Sequence, residues 1–420
     1  MQKQSPPGLG LFSVTLPPNP GDLLSRRRKL LYILLLGALT ALGPFTIDLY
    51  LPAFPALEAS LGVTEAQVQL TLAGTTVGFA FGQLVVGPFS DKFGRRAPLI
   101  LATALHIAAS LGAALSTDIA TLGVFRVLMG VGAAGGGVVA MAMVRDLFSG
   151  YAMVRMFSRM SLVNGLAPIL APVIGSQLLL MMPWPGIFVF LASYGTLVIV
   201  AALILVRETL PPEKRGQSGM TAGQRYKALF TDRIFVGLLM VAGFNFGGLF
   251  TYLSASPFLF QDVFGFSAQQ YGLLFGINSL GIVAGVQTSS RLIRIVPPQW
   301  ILAGATAWMF LMALLIVVFD QVGLGLWGVM VPLWFYIMGT GFMFPCVQVL
   351  ALASHAAQAG TAASLLGAAT FLMAGLISPV VGWLGITSAA PMGAVQAACI
   401  LVAIGALWLV VRPRTVPSIH

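Results

Sequence analysis

The sequence predicts an all-α membrane protein with twelve spanning helices arranged in two bundles of six. Three observations carry this reading: composition, the recurrence of apolar runs, and the placement of charge. Of 420 residues, 58% are hydrophobic and only 8% charged, so the polar surface that would coat a water-soluble globule of this length is missing. Apolar runs of roughly 20 residues recur along the chain, each long enough to cross a hydrocarbon core of about 30 Å as a helix. Strand-like alternation appears nowhere in the sequence, which argues against a β-barrel.

The spans are predicted at about 30–56, 66–89, 97–117, 119–144, 158–182 and 185–207, then 233–258, 268–291, 298–319, 324–350, 358–384 and 391–412. Residues 1–25, rich in Pro, Gly and Ser, read as a disordered cytoplasmic start. The basic run at 26–29 followed by Leu30–Leu36 resembles a secretory leader. The apolar stretch continues past Pro44 to Pro55 with no clear cleavage site, so it reads as a retained first span. The first bundle covers 26–207, a polar cytoplasmic linker 208–232, the second bundle 233–412, and a cytoplasmic tail 413–420. Two equal halves joined by a linker is the layout of a carrier that rocks about a site at the midplane between them.

A net charge of +10 raises the question of nucleic acid, but the arrangement of the charges answers it. Threading the chain from a cytoplasmic start puts every Lys and Arg except Arg126 on the inner side. The outer loops carry only acids: Glu58, Glu65, Asp118, Asp262 and Asp320. This is the positive-inside pattern of a multi-pass protein with both termini in the cytoplasm. Nucleic acid is excluded as a partner. Cys346 and Cys399 lie in separate spans without metal-ligand spacing and read as small packing residues, so no metal site or cofactor is expected.

Two charges remain inside the membrane, Asp48 in the first span and Arg126 in the fourth. A charge in the hydrocarbon costs on the order of 3 kcal/mol, so each should face a cavity or a partner. Counting from the outer helix ends at 1.5 Å per residue puts both roughly 12 Å below the surface, so they are expected to meet. Such a pair can be a static ion pair that fixes packing, or a proton site whose affinity changes when the two groups move apart. His106, in the third span, reads as a neutral, hydrogen-bonded structural residue, with proton relay as the alternative.

The second and third spans are joined by Gly87-Pro88-Phe89-Ser90-Asp91-Lys92-Phe93-Gly94-Arg95-Arg96. Gly87 and Gly94 permit a tight reversal, Asp91 can accept hydrogen bonds from a helix start or pair with Arg95, and Asp146 offers a second carboxylate nearby. In the fifth span, Pro168 and Pro172 each remove a helical hydrogen bond, while Gly165 and Gly175 admit a close neighbour. Tyr50, Gln83, Asn245, Phe246, Tyr252, Asn278, Tyr336 and Gln348 each suit helix packing. As a group they suit a mostly apolar cavity with few hydrogen-bonding groups.

The Gly87–Arg96 loop resembles the cytoplasmic signature loop of the major facilitator superfamily. The Arg126 segment through Val144-Arg145-Asp146 resembles the arginine-bearing helix of that superfamily's drug exporters, and Asn164–Gly175 is similar to their antiporter motif. Thr46–Ala53 and Ser256-Pro257-Phe258 resemble the bicyclomycin- and chloramphenicol-resistance exporters. Met129 and Ser176 depart from those patterns, where relatives have Gln and Gly. The resemblance implies a monomeric, proton-coupled exporter of small lipophilic drugs in the bacterial cytoplasmic membrane. It further implies that Asp48 and Arg126 serve proton coupling, and that the loop with Asp146 serves gating. The alternative is a proton symporter importing a sugar or an organic acid. An enzyme is not expected, because His106, His355 and His420 are far apart in sequence and no nucleophile–base set or metal cluster is apparent.

Overall fold

A computed structural model describes residue 21 and residues 25–215, 222–353, 355 and 358–416. The expectations for residues 1–25 and 413–420 therefore lie largely outside the described residues. Twelve helices are long and apolar enough to cross a membrane: α1 Arg26–Leu61, α2 Glu65–Phe93, α3 Arg96–Ala114, α4 Ile119–Leu147, α5 Arg155–Met181, α6 Pro185–Leu205, α7 Arg233–Val263, α8 Ala268–Leu292, α9 Pro298–Gln321, α10 Gly325–Ala353, α11 Ala359–Leu384 and α12 Ala390–Thr415. No strand occurs among the described residues. Large side chains such as Leu115, Leu197, Ile204 and Leu409 are exposed on the outer faces, which is stable only against lipid. The protein is a multi-pass membrane protein.

Several spans are broken where proline or a polar side chain interrupts the hydrogen-bond ladder. In α1 the regular helix stops at Asp48, a 3-10 turn covers Leu51–Ala53, and helix resumes over Phe54–Leu61. Pro52 supplies no N–H for the Asp48 carbonyl, and Pro55 none for that of Leu51. α11 breaks at Ser378-Pro379 before Val380–Leu384, and α7 ends in a π-helical turn over Leu259–Val263. Between α6 and α7 the linker forms a short amphipathic helix, Ala222–Thr231, where the sequence reading expected only a polar connection.

Helices α1–α6 pack on one another and α7–α12 do likewise, while α2 against α11 and α5 against α8 form the seams between the two halves. One face of the molecule carries Arg95, Arg96, Arg145 and the linker; the opposite face carries Glu58, Glu65, Asp118, Asp262 and Asp320. These are called the basic and acidic faces below. Within the first half α2 crosses α4 closely: a side chain at Gly78 would strike the Val127 carbonyl and one at Gly130 the Thr75 carbonyl. Gly165 contrasts with them: nothing lies within 4 Å of the position a Cβ would take, so the close neighbour expected there is absent.

This difference is measurable. Gly78→Val should push α2 off α4 and cost about 1–3 kcal/mol, as overpacking does, seen as a lower unfolding temperature in detergent. Gly165→Ala should leave that temperature unchanged or slightly raised, because alanine is the better helix former. Equal losses in both variants would contradict the packing described.

Candidate functional site

The breaks in α1 and α11 place polar groups at the level where the halves meet. Arg126, fully buried on α4, donates from Nη1 to the Thr46 carbonyl at 2.7 Å. Its guanidinium lies over the Tyr50 ring at 4.4 Å and near Phe188 at 5.8 Å, while Nε and Nη2 have no hydrogen-bond partner. Thr46 is in the last turn of the first segment of α1, the negative end of that helix. The cation thus rests on a helix terminus and two aromatic faces instead of an acid.

The expected Asp48–Arg126 pair does not form; among the described residues the ion pairs are Arg95–Asp91, Arg95–Asp146, Arg215–Glu208 and His355–Asp232. The reason is azimuth. Asp48 follows Thr46 by two residues, about 200° around a helix, so when the Thr46 carbonyl and Tyr50 face Arg126, the carboxyl turns to the other side of α1. There, buried, it lies within electrostatic reach of the Tyr252 and Tyr271 hydroxyls of the second half. The Asn278 amide donates to the Tyr252 hydroxyl at 3.1 Å, and Ser256 and Tyr271 share a hydrogen bond of 3.0 Å.

His106 is buried beside this arrangement. The Thr46 hydroxyl gives its one proton to the Leu42 carbonyl at 2.6 Å, so at 2.8 Å it accepts from His106 Nε2. The network thereby assigns the neutral tautomer, with Nδ1 enclosed and without a partner.

The acidic face is sealed by hydrogen bonds that cross between the halves. Gln69 of α2, fully buried, donates to the Ser254 carbonyl at 3.1 Å and accepts from Gly382 N at 3.0 Å. Glu65 accepts from Ile386 N at 3.2 Å, Gln261 donates to the Pro52 carbonyl at 3.2 Å, and Gln269 donates to the Ser176 carbonyl at 2.9 Å. Most of these backbone partners sit at or next to a helix break or end. α5 closes on α8 along the proline face: Ser279 bonds the Pro168 carbonyl at 3.4 Å, and side chains at Gly272 would strike Pro172 and Ser176. Gly175 admits the Leu49 carbonyl of the α1 break. The sequence did not single out Gln69, one of three amides, with Gln67 and Gln83, in its span.

The basic face instead opens into a cavity of about 200 Å³ between the halves, lined among others by Leu84, Gly87, Asp91, Arg145, Arg225 and Ser364. Arg95 donates to Asp91 at 2.5 Å, to Asp146 at 2.8 Å and to Ser90 at 2.8 Å. Burial opposes charge on Arg95, but the hydrogen bonds to Asp146 and Asp91 outweigh it and raise its pKa. Gly94 makes the reversal with φ +93. Gly87 does not, because α2 runs on as helix to Phe93.

Glu208, just beyond α6, is a member of this cluster that the sequence reading missed. Its carboxylate accepts from the backbone N–H groups of Arg95 at 2.8 Å, Leu210 at 2.9 Å, Thr209 at 3.0 Å and Arg96 at 3.3 Å. A side chain at Gly94 would strike that carboxylate. Burial pushes the Glu208 pKa up, but the four N–H groups outweigh it and hold it below the ordinary value. An acid one residue past a basic helix end was its only trace in the sequence.

Of the residues assigned to substrate contact, Tyr50 is fully buried within the first half, under Arg126 and hydrogen-bonded to Thr71 at 3.2 Å. The α1 break turns it inward, against Arg126 and Phe188. Tyr252 and Asn278 come together, Phe246 joins an aromatic cluster, and Gln83 lies against Gly367 across the α2–α11 seam. Asn245 and Tyr336 are buried, the latter against Gly248, and Gln348 is exposed toward the basic end of α10.

Residues 34–379 match the Major Facilitator Superfamily. A Bacillus subtilis (strain 168) protein described as an uncharacterized MFS-type transporter is 36% identical over 88% of this chain and 92% of its own length. A bicyclomycin resistance protein homolog of Haemophilus influenzae is 30% identical over 91% and 96%, and the multidrug resistance protein MdtL of a Shewanella strain 29% over 92% and 96%. Among solved structures, a D-xylose-proton symporter superposes with a TM-score of 0.74 at 16% identity, over 94% of this chain and all of that one.

Two variants test the basic-face cluster. Glu208→Gln should lower the unfolding temperature at neutral pH. Because the native pKa is depressed, the Glu208 contribution is fully present above about 4.5, the ordinary Glu value, and fades as pH falls below it. The gap between the two proteins should therefore close in acid; a gap that persists unchanged at low pH would contradict the role. Asp91→Asn should slow transport while leaving folding and substrate affinity largely intact, and a normal rate would exclude Asp91 from gating.

Proposed function

The chain belongs to the major facilitator superfamily and is a membrane transporter, not an enzyme; from that premise we propose that it exports small, neutral, lipophilic drugs in exchange for protons by alternating access. The observation that carries this reading is Asp48: a carboxyl group deep in the membrane, buried, outside every ion pair among the described residues, and placed at the joint between the halves. A group so placed is expected to change its proton affinity when the halves move, because its hydration and its tyrosine neighbours change together. The names of two relatives, a bicyclomycin resistance protein homolog and a multidrug resistance protein, support drugs as the cargo.

The positive-inside pattern assigns the basic face to the cytoplasm of a bacterial cell, with both termini on that side. In this state the cavity then opens inward and the Gln69 hydrogen bonds close the exterior. Drug enters from the cytoplasm or the inner leaflet; rocking breaks the outer seal and brings the Arg95 cluster toward the second half. Opening to the acidic exterior hydrates and protonates Asp48, and the return inward releases that proton. Arg126 takes part by holding the end of the first α1 segment, so that Asp48 is directed across the interface. A nutrient symporter would offer several charged groups to a hydrophilic ligand, and the spans here carry only Asp48 and Arg126 well away from both faces.

Asp48→Asn mimics the protonated acid. It should retain drug binding but lose uphill efflux driven by a pH gradient, measured in everted vesicles or liposomes with protein amounts matched. If that variant concentrates drug as well as the unmodified protein does, the proton site lies elsewhere.

A further inference from the structure

Five phenylalanine rings meet at mid-membrane, where α2 of the first half touches the second. Phe79 of α2 lies flat on Phe371 of α11, with centroids 4.8 Å apart and planes 16° from parallel. Phe246 and Phe250 of α7 present edges to Phe371, at 5.2 Å and 80° and at 6.4 Å and 75°. Phe344 of α10 meets Phe246 at 6.1 Å and 61°. Phe79 and Phe250 are buried, whereas Phe246, Phe344 and Phe371 are partly exposed. One flat neighbour and two edge-on neighbours form the surroundings an aromatic ring prefers.

Only Phe79 among these rings belongs to the first half, so its contact is lost whenever α2 and α11 separate. Its flanks lie on the same seam: Thr76 against Gly375 one turn to one side and Gln83 against Gly367 one turn to the other. Separation leaves the flat face of Phe371 uncovered with its edge-on walls, all from the second half, in place. No charged side chain takes part in the cluster.

Resting on the export reading above, we propose that this face of Phe371 is an aryl-binding subsite, in which an aromatic ring of the substrate takes the place of Phe79. The substrate class is thereby narrowed to neutral compounds carrying an aromatic ring. Phe79 and the substrate compete for one surface, so binding is linked to the separation of α2 from α11. A ring that merely packs the core would behave differently: removing Phe79 would then weaken binding or leave it alone, whereas a competitor's removal strengthens it.

The test is equilibrium binding to the full chain in lipid nanodiscs with three neutral probes: chloramphenicol, which carries a nitrophenyl ring; bicyclomycin, which carries no aromatic ring; and 4-nitrobenzyl alcohol, a bare ring. Phe371→Leu should weaken both ring-bearing probes by roughly threefold to tenfold, the range of one aromatic pair, and leave bicyclomycin unchanged. Phe371→Tyr should restore them, and Phe79→Ala should tighten them. Equal weakening of all three probes by Phe371→Leu, weaker ring binding in Phe79→Ala, or no binding of any ring-bearing probe would overturn the subsite. Nitrobenzyl alcohol binding with the expected pattern while neither antibiotic is exported would sink the export reading and keep the subsite. Antibiotic export with ring binding indifferent to Phe371→Leu would do the reverse.

Discussion

The seating of Arg126 against the broken first helix is the interaction on which the rest of this architecture turns. A guanidinium in hydrocarbon needs negative potential, and here it comes from the Thr46 carbonyl at a helix end and from the faces of Tyr50 and Phe188. That end exists inside the membrane only because Pro52 and Pro55 withhold N–H groups from α1. The break turns Tyr50 inward to receive the cation, brings the Leu49 carbonyl against Gly175 of α5, and exposes the Pro52 carbonyl to Gln261 of the second half. One interruption thus supplies the negative potential for Arg126, a contact for α5, and one of the hydrogen bonds that seal the acidic face.

It also explains why two buried charges coexist without neutralising each other. Arg126 is held within its own half by the Thr46 carbonyl and two aromatic faces, while Asp48 lies within electrostatic reach of the Tyr252 and Tyr271 hydroxyls of the other half. A permanent pair would have confined both charges to the first half and isolated them from rocking. On the proposed exchange mechanism, a carboxyl at the joint links its protonation to the contact between the halves. His106 donates to Thr46 through Nε2, and its Nδ1 has no hydrogen-bond partner among the described residues.

The fold was legible in the sequence because its signals are long and one-dimensional: every span from 66–89 to 391–412 ends within a few residues of the helix observed. What the sequence could not supply was direction around a helix. Asp48 and Arg126 were correctly assigned to the same depth, yet depth says nothing of azimuth, and two residues of offset put them on opposite sides of α1. For the same reason nothing in the sequence showed that Tyr50 packs under Arg126. Gly87 looked like a turn residue until the hydrogen-bonded helix proved to continue to Phe93. Glu208 and Gln69 act through backbone N–H groups that only the fold brings near, so neither leaves a sequence pattern. Asp91, Arg95 and Asp146 were legible because their spacing along two adjacent helix ends already implies proximity.

The two faces are built with different chemistry: the acidic face is sealed across the halves, and the basic face opens into a cavity. The acidic-face seal consists of neutral amides and one carboxylate bonded to backbone groups, many of which the helix breaks release. Each such bond contributes about 1 kcal/mol net, because water replaces it once the seal opens. A handful of them stabilises one orientation of the halves by only a few kcal/mol, which keeps the alternative within thermal reach. The basic face instead carries a charged cluster tied inside the first half by Arg95 and by Glu208 at the end of α6, with none of these bonds crossing to the second half. A cluster confined to one half and a replaceable seal between halves are what the proposed rocking requires. The Phe79–Phe371 contact lies between them as the one aromatic stack shared by both halves among the described residues, so it must part whenever α2 and α11 separate.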